Sequence, residues 1–227
     1  MRISVVIPAW NAAQTLAETL DSVAAQTLLA TEVIVADDGS DDATAMVARQ
    51  HPLCPTVLQL THAGVAATTN AAIRQASGDC LAFIDADDLW PPGKLAAQAE
   101  LLGQRPDIDA SLGMFSSFVC PRTDIRLRER FVVPATAQPG WLTGTLCLRR
   151  EVFSRVGLFS EDLSNGFAID WFDRARKAGI QFHMTDETLL LRRLHPGSLS
   201  ARNQRSDGAM LEMARRAIAR RRAQETS

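Results

Sequence analysis

The sequence has no tyrosine, few cysteines and no excess of positive charge. Its 227 residues include four cysteines, none of which forms a Cys-x-x-Cys pair or belongs to a His/Cys cluster. A zinc site is therefore not expected, a small disulfide scaffold is excluded, and the thiols are expected to be reduced and mostly buried. The formal net charge of −2 gives no global attraction to nucleic acid.

Long apolar runs are also missing. No stretch approaches the roughly 18 apolar residues that a transmembrane helix needs. The apolar segment near the N-terminus is short and interrupted by Pro8 and Asn11, which argues against a signal peptide. We therefore expect a cytoplasmic location.

Three common catalytic or nucleotide-binding motifs are absent. No G-x-x-x-x-G-K-[S/T] sequence occurs, which excludes a P-loop. No G-x-G-x-x-G follows the first predicted strand, which disfavours dinucleotide binding. No G-x-S-x-G occurs, which disfavours an α/β-hydrolase.

The first hundred residues alternate strand and helix patterns. Helices are predicted after a capping-box pattern at Asn11–Gln14, through Met46 and Val47, over Ala66–Ala76 and over Leu95–Leu102. Short, nearly continuous apolar runs predict buried strands at Ile3–Ile7 (ended by Pro8), Glu32–Ala36, Thr56–Leu60 and Leu81–Ile84. This order predicts an α/β fold with a mixed, mostly parallel sheet flanked by helices on both faces.

The second half is less regular. Pro121–Arg130 is predicted to be a loop or hairpin, and residues 207–222 form a helical pattern with an apolar stripe and a basic end. Three interpretations of that stripe are open: it packs on the domain, it lies on an anionic membrane, or it makes a dimer contact. The remaining predicted elements are strands at Ala110–Val119, Leu146–Leu148 and Leu189–Leu191, and helices at Glu151–Val156 and Asp170–Lys177.

Two acidic turns follow the second and fourth strands, where ligands of such sheets bind. Asp85, Asp87 and Asp88 place three carboxylates within four residues. Two unit charges about 4 Å apart repel by ~4 kcal/mol at an effective dielectric near 20, and a divalent cation removes that conflict. The alternative is a solvated turn that caps a helix.

The other turn begins at Asp37 and Asp38. Either carboxylate can accept hydrogen bonds from a base N–H or a ribose hydroxyl, and Gly39 permits close approach of a ligand. Ser40 or Asp41 is the expected N-cap of the following helix. The two roles of this turn are compatible.

In these residues the chain resembles the family 2 glycosyltransferases, enzymes with the GT-A fold. Six segments in order carry the resemblance over residues 3 to about 200, namely VVIPAWNAAQTLAETLDSV, VIVADDGSDDAT, GVAATTNAAIRQASGDCLAFIDADD, LCLRREVFSRVGLFSEDL, DWFDRARKAG and LRRLHPGSLS. The resemblance implies a single domain over 1–227. Its parts are a nucleotide-sugar-binding half (1–105), an acceptor-side half (106–200) and a C-terminal helix (205–224).

The resemblance also implies an activity and its residues. The expected reaction is a metal-dependent transfer, usually inverting, of a sugar from a nucleotide-diphosphate-sugar donor, with Mn²⁺ or Mg²⁺ as cofactor. The implied metal ligands are Asp85, Asp87 and His195. The implied donor-binding residues are Pro8, Ala9, Asp37, Asp38, Asn70, Arg74, Asp85 and Asp87.

Two positions depart from the family pattern. Phe167 and Ala168 stand where many relatives carry Glu-Asp, the source of the general base. Asp170 is then the nearest candidate base, with an N-cap role as its alternative, and Glu161 and Asp162 are upstream alternatives. Thr69 stands where many relatives have arginine beside the diphosphate, and Arg74 is the candidate replacement.

The acceptor is not specified by these motifs. A small molecule, a glycan, a peptide or a lipid-linked acceptor fits, and the last would place the protein at the inner face of the membrane. Trp141, Trp171 and Phe172 either stack on a sugar or belong to the core. A nucleotide-sugar-binding relative without turnover is the main alternative function, and a nucleotidyltransferase is a weaker one.

Overall fold

The first half of the chain forms a parallel sheet with its helices. The computed structural model describes residues 1–163 and 166–198. The strands are β1 (Ile3–Ala9), β2 (Glu32–Asp37), β3 (Thr56–Gln59) and β4 (Cys80–Phe83), and the helices are α1 (Leu16–Ala24), α2 (Thr44–Gln50), α3 (Val65–Gln75) and α4 (Lys94–Gln104). These strands are parallel in the order β3-β2-β1-β4, so the carboxyl ends of β2, β1 and β4 share one edge.

The second half extends the same sheet. Its strands are β5 (Ala110–Val119), β6 (Gln138–Pro139), β7 (Cys147–Arg149) and β8 (Phe182–Leu194), and its helices are α5 (Ile125–Arg128), α6 (Val152–Val156) and α7 (Phe167–Lys177). Strand β7 runs antiparallel to both β4 and β5, and β8 runs parallel to β5. The predicted mixed, mostly parallel sheet is confirmed. The predicted helix over 205–224 lies outside the described residues.

Several local predictions differ from the structure, among them the loop or hairpin predicted over Pro121–Arg130, which contains α5. Strand β1 continues through Pro8, which pairs with Ala36, because proline lacks only the N–H donor and one ladder bond is dispensable at a strand end. The capping box at Asn11 is wrong, since the Asn11 side chain accepts from the N–H of Asp41 and the N-cap of α1 is Thr15. Strand β8 has 13 residues because its pairing with β5 overrides its polar sequence.

The sheet separates two apolar layers. Alternate residues of β1 face opposite layers, with Val5 and Ile7 on the side of α1 and α4, and Val6 on the side of α3, α6 and α7. The second layer holds an aromatic cluster with ring centroids 5.3 to 6.2 Å apart, formed by Phe83, Phe153, Phe159 and Trp171. Trp171 and Phe172 are buried core residues rather than sugar platforms, while Trp141 is half-buried against Phe172.

Cysteine usage matches the sequence-based expectation. The four thiols are free, with Cys54 exposed and the other three buried. Burial raises the pKa of Cys147 to about 12 and that of Cys80 to about 11. These two thiols therefore have the chemistry of small core side chains.

Lys94 is a buried cation at the start of α4. It is 1% exposed, its Nζ donates to Gln98 Oε1, and it lies 4.1 Å from the centroid of the Trp90 ring. Among residues 1–163 and 166–198, no carboxylate forms a salt bridge with it. Burial accordingly lowers the pKa of Lys94 from 10.5 to about 8.

This burial predicts a specific dependence of stability on pH. Between about pH 8 and 10.5 the unfolded chain binds the Lys94 proton and the folded chain does not, so the Lys94 contribution makes stability rise with pH. We expect Lys94→Met to remove this rise, measured as the free energy of unfolding in denaturant from pH 7.5 to 10.5. Lys177→Met, at an exposed lysine, is the control and retains it. A wild-type minus Lys94→Met difference that stays constant over this range contradicts the assignment.

Candidate functional site

Two acidic turns lie on either side of the carboxyl end of β1. Ala9 pairs with Asp37 in β2, and the Asp38 N–H donates to the Ala9 carbonyl oxygen at 2.8 Å. On the other side, the Ile84 N–H donates to the Val6 carbonyl oxygen at 3.1 Å, just before the second turn. Since neighbouring strands are about 4.8 Å apart, the ends of β2 and β4 are separated by only about 10 Å.

The turn after β4 concentrates negative charge. One carboxylate oxygen from each of Asp85, Asp87 and Asp88 lies within 4.8 Å of the other two. Asp85 keeps access to solvent, although protein atoms crowd around it. This crowding and the charge of Asp87 together raise the pKa of Asp85 to about 6. Burial and the charges of Asp87 and Asp85 raise the pKa of Asp88 well above its ordinary value. The three carboxylates predicted from this turn therefore lie together, although the family resemblance names only Asp85 and Asp87 among them as metal ligands.

His195 reaches this turn from the other end of the chain. Strand β8 is attached to the residue after the turn by two backbone hydrogen bonds between Leu89 and Leu191, of 2.8 and 3.0 Å. This attachment places His195 Nε2 2.9 Å from Asp87 Oδ2. Of the three residues that the family resemblance selects for a metal site, Asp85 and Asp87 lie in the carboxylate cluster and His195 contacts Asp87.

Sequence reasoning missed Arg193, which lies under the same turn. It is 2% exposed and donates from Nε to the Asp87 carbonyl oxygen at 2.6 Å. The only signal in the sequence is the pair Arg192-Arg193 close to His195, and a charged pair at this spacing is ordinarily read as a solvated surface.

The turn after β2 is internally bonded. Asp37 accepts from the N–H of Ser40, and Asp38 accepts from the N–H groups of Ala63 and Gly64 at 2.8 and 3.0 Å. Both aspartates are nearly buried. Their carboxylates hold the loops beside β1. A ligand at this turn would share carboxylate oxygens that already accept hydrogen bonds from the backbone.

The predicted roles of the next residues need correction. Ala43, rather than Ser40 or Asp41, is the N-cap of α2. Gly39 has φ 68°, and a Cβ there would lie 3.0 Å from the His62 backbone nitrogen. This glycine therefore permits the close approach of the backbone at His62, rather than the predicted approach of a ligand.

Trp10 supplies an exposed aromatic surface at the end of β1. Its side chain is 42% exposed, and its ring stacks on His62 with centroids 4.9 Å apart and planes 29° from parallel. The His62 Nδ1 atom lies 2.9 Å from Asp38 Oδ2, which fixes the stack to the acidic turn. Sequence analysis did not select either ring, although Trp10 directly follows Pro8 and Ala9.

Two predicted donor-binding residues make other contacts. Asn70 is 1% exposed, and its amide donates to the Phe159 carbonyl oxygen and to Glu161 while accepting from the Phe159 N–H. Arg74 forms an ion pair with Glu161 at 3.3 Å and shares a groove with Arg150, which is bonded to the backbone just before β4. Arg74 therefore lies toward the opposite edge of the sheet from Asp85.

Asp170, the predicted base, is also engaged. Its side chain is 7% exposed, forms an ion pair with Arg174 at 2.9 Å and accepts from Ser160 Oγ at 2.9 Å. The N-cap alternative is wrong, because Gly166 caps α7 and Asp170 lies in its first turn. These contacts connect α7 to the segment that precedes it.

Comparison with known proteins gives one consistent family. The family model described as "Glycosyl transferase family 2" matches residues 4–160. The "Uncharacterized glycosyltransferase YwdF" of Bacillus subtilis is 29% identical over 185 residues, covering 78% of this chain and 69% of the relative. "Glycosyltransferase AglE" of Haloferax volcanii is 29% identical over 196 residues, covering 78% of this chain and 62% of the relative.

Solved structures show the same fold. S. aureus TarS 1-349 in complex with UDP-GlcNAc superposes with a TM-score of 0.72 at 22% identity, covering 88% of this chain and 61% of that one. The mannosyltransferase PcManGT from Pyrobaculum calidifontis, in complex with GDP-Man and Mn²⁺, gives 0.65 at 24% identity, covering 89% and 59%. The chain therefore spans about three fifths of the length of these two proteins.

The conformation of the turn after β2 can be tested at Gly39. We expect Gly39→Ala to lower the free energy of unfolding by about 2 kcal/mol, because alanine is strained at positive φ and its Cβ meets the His62 backbone. Gly103→Ala, in the last turn of α4 where an added Cβ meets no other atom, is the matched control and should be neutral or stabilising by up to about 1 kcal/mol. Equal effects of the two substitutions in denaturant titrations would contradict this account.

Proposed function

The chain belongs to the family 2 glycosyltransferases, and on that basis we propose that it transfers a sugar from a nucleotide-diphosphate-sugar donor to an acceptor hydroxyl. The observation that carries the proposal is the cluster of Asp85, Asp87 and Asp88, with His195 against Asp87, at the edge of the sheet where Trp10 is exposed. Two neighbours in fold were solved with UDP-GlcNAc and with GDP-Man, which supports a donor of this class.

The nucleoside is proposed to lie along the end of β1. Pro8 and Ala9 would line its pocket, and Asp37 and Asp38 would border it from β2. The exposed face of Trp10 offers a flat apolar surface of the kind on which a base stacks. The diphosphate would then point toward Asp85 and Asp87.

The acidic turn fits a divalent cation. Carboxylate oxygens within 4.8 Å of one another, with an imidazole nitrogen beside them, form a donor set that Mn²⁺ accepts and that Mg²⁺ accepts through its oxygens. Desolvation and the charge of Asp87 disfavour the charged form of Asp85 and raise its pKa to about 6, and a bound cation would favour that charged form. Bound there, the cation would stabilise the charge that develops on the leaving diphosphate.

The transfer is proposed to proceed with inversion. The acceptor oxygen forms a bond to the anomeric carbon while the bond from that carbon to the diphosphate oxygen breaks, and the acceptor proton passes to a carboxylate base. Of the three candidate bases, Asp170 is the least accessible. Glu161 is 47% exposed, but its pKa is lowered by a hydrogen bond from Asn70 and by Arg74, while Asp162 is exposed.

A second function has specific support. Phe167 and Ala168 replace the expected Glu-Asp pair, and Asp170 is held by Arg174 and Ser160. These features favour a relative that binds a nucleotide sugar with little or no turnover. Binding without hydrolysis or transfer for every donor and acceptor tested would select this alternative.

Substitution of Asp87 tests the cation and donor sites together. We expect Mn²⁺ to raise Tm by roughly 5 °C or more with UDP or with GDP at saturating concentration, because ligands that bind only the folded state stabilise it. Asp87→Asn should abolish this metal-dependent increment. Asp107→Asn, at an exposed carboxylate paired with Arg105, is the control and should retain it. Retention of the increment in Asp87→Asn would disprove the site.

Substitution of Asp170 separates the base role from a structural one. Because the carboxylate is nearly buried and paired with Arg174, we expect Asp170→Asn to lower the free energy of unfolding by about 1–3 kcal/mol. We expect the rate of transfer or donor hydrolysis per folded molecule to change by less than about threefold. A loss of about 100-fold or more in kcat with unchanged stability would instead assign the base to Asp170.

A further inference from the structure

We propose that Arg193 is a positioning residue that holds the acidic turn in the geometry needed to bind a divalent cation. This inference rests on the proposed function, because it concerns the same cation site. Arg193 is 2% exposed, and its guanidinium donates to Asp87, Cys120 and Glu18, so its effect would pass through the turn.

Arg193 contacts the turn through both its backbone and its side chain. Its backbone N–H donates to Asp88 Oδ1 at 2.7 Å, and its Nε donates to the Asp87 carbonyl oxygen at 2.6 Å. These bonds fix the carboxyl group of Asp88 and the peptide that joins Asp87 to it. Asp85 and the Asp87 carboxylate receive no bond from Arg193, so both stay available to a cation.

The guanidinium is held in turn by Glu18 of α1. Arg193 Nη2 lies 2.6 Å from Glu18 Oε2, and Arg122 Nη1 lies 2.8 Å from the other oxygen of the same carboxylate. The ring of Phe118 lies 5.0 Å from the guanidinium carbon. A buried arginine with these partners has a single orientation, which is what a positioning residue requires.

The need for such a residue follows from the charge on the turn. Three carboxylates within 4.8 Å repel one another, and a free turn would relax by moving them apart. The bonds from Arg193 oppose that relaxation by tying the turn to β8. His195 directly follows the end of this strand, two residues after Arg193, so one short segment sets both the turn and the imidazole beside it.

The positioning role has a signature that distinguishes it from a simple charge effect. Arg193 is a cation close to a cation site, so by charge alone its removal would strengthen Mn²⁺ binding. A positioning role predicts instead that removal of Arg193 weakens Mn²⁺ binding. Residues that orient metal ligands typically contribute about 10- to 100-fold to metal affinity.

The test is a titration of the metal-free protein with Mn²⁺, followed by the electron paramagnetic resonance signal of free Mn²⁺. We expect Arg193→Gln to raise the Kd for Mn²⁺ at least about tenfold, and Arg193→Lys, which keeps the charge but not the geometry, to raise it several-fold. UDP and GDP affinities measured without metal should stay within about twofold of wild type. The control is Arg149→Gln, which removes bonds to the Leu102 and Ile108 carbonyls at the other edge of the sheet and should leave the Kd unchanged.

The outcomes separate this inference from the proposed function. If wild type binds Mn²⁺ and Asp87→Asn does not, but both Arg193 variants bind like wild type or more tightly, the positioning role is overturned and the cation site stands. If wild type binds no Mn²⁺, the cation site of the proposed function fails first. Should Arg193→Gln fail to fold by circular dichroism, Arg193→Lys alone decides by the same criterion.

Discussion

Like charges held at close range are the constraint on which the site depends. Asp85, Asp87 and Asp88 keep their oxygens within 4.8 Å of one another, and the crowding of protein atoms together with the charge of Asp87 raises the pKa of Asp85 to about 6. The surrounding structure resists the separation of these groups through Arg193 and through the backbone pairing of β8 with the residue after the turn. Carboxylates held this close together would favour a cation at one defined point.

The sheet provides the second requirement, which is proximity between distant parts of the chain. Parallel strands β2, β1 and β4 deliver their carboxyl ends to one edge, and β8 adds His195 from more than 100 residues away. Trp10 and His62 then form an aromatic surface beside the acidic turns. Each part has a modest property alone, and their combination at one edge is what a nucleotide sugar and a cation would recognise.

Much of this could be predicted because it is encoded locally. The apolar runs of β1, β2 and β4 and the acidic residues that follow them are adjacent in sequence, so their shared edge follows from the topology rules alone. Strand β5 was predicted at its observed bounds, Ala110–Val119. The His195 role came from family resemblance, since nothing in its neighbourhood distinguishes it from a surface histidine.

The rest depends on tertiary contacts that no local pattern reports. Asn70 and Asp170 have the residue types of binding or catalytic groups, yet one secures the segment at Phe159 and the other pairs with Arg174. Arg193 shows the reverse error, because a charged residue in an Arg-Arg pair is ordinarily solvated and here is 2% exposed. Strand β8 was underestimated because partner strand β5, rather than its own composition, determines its length.

The pairing of β8 also has a consequence for the order of events during synthesis. The acidic turn is translated 105 residues before Arg193, whose backbone bonds to Asp88. A nascent chain on the ribosome therefore carries its three carboxylates through the synthesis of 105 further residues before Arg193 and His195 can join them. Competence to hold a metal would arise only when β8 joins the sheet, and a truncated chain that lacked β8 would keep the negative charge but not the site.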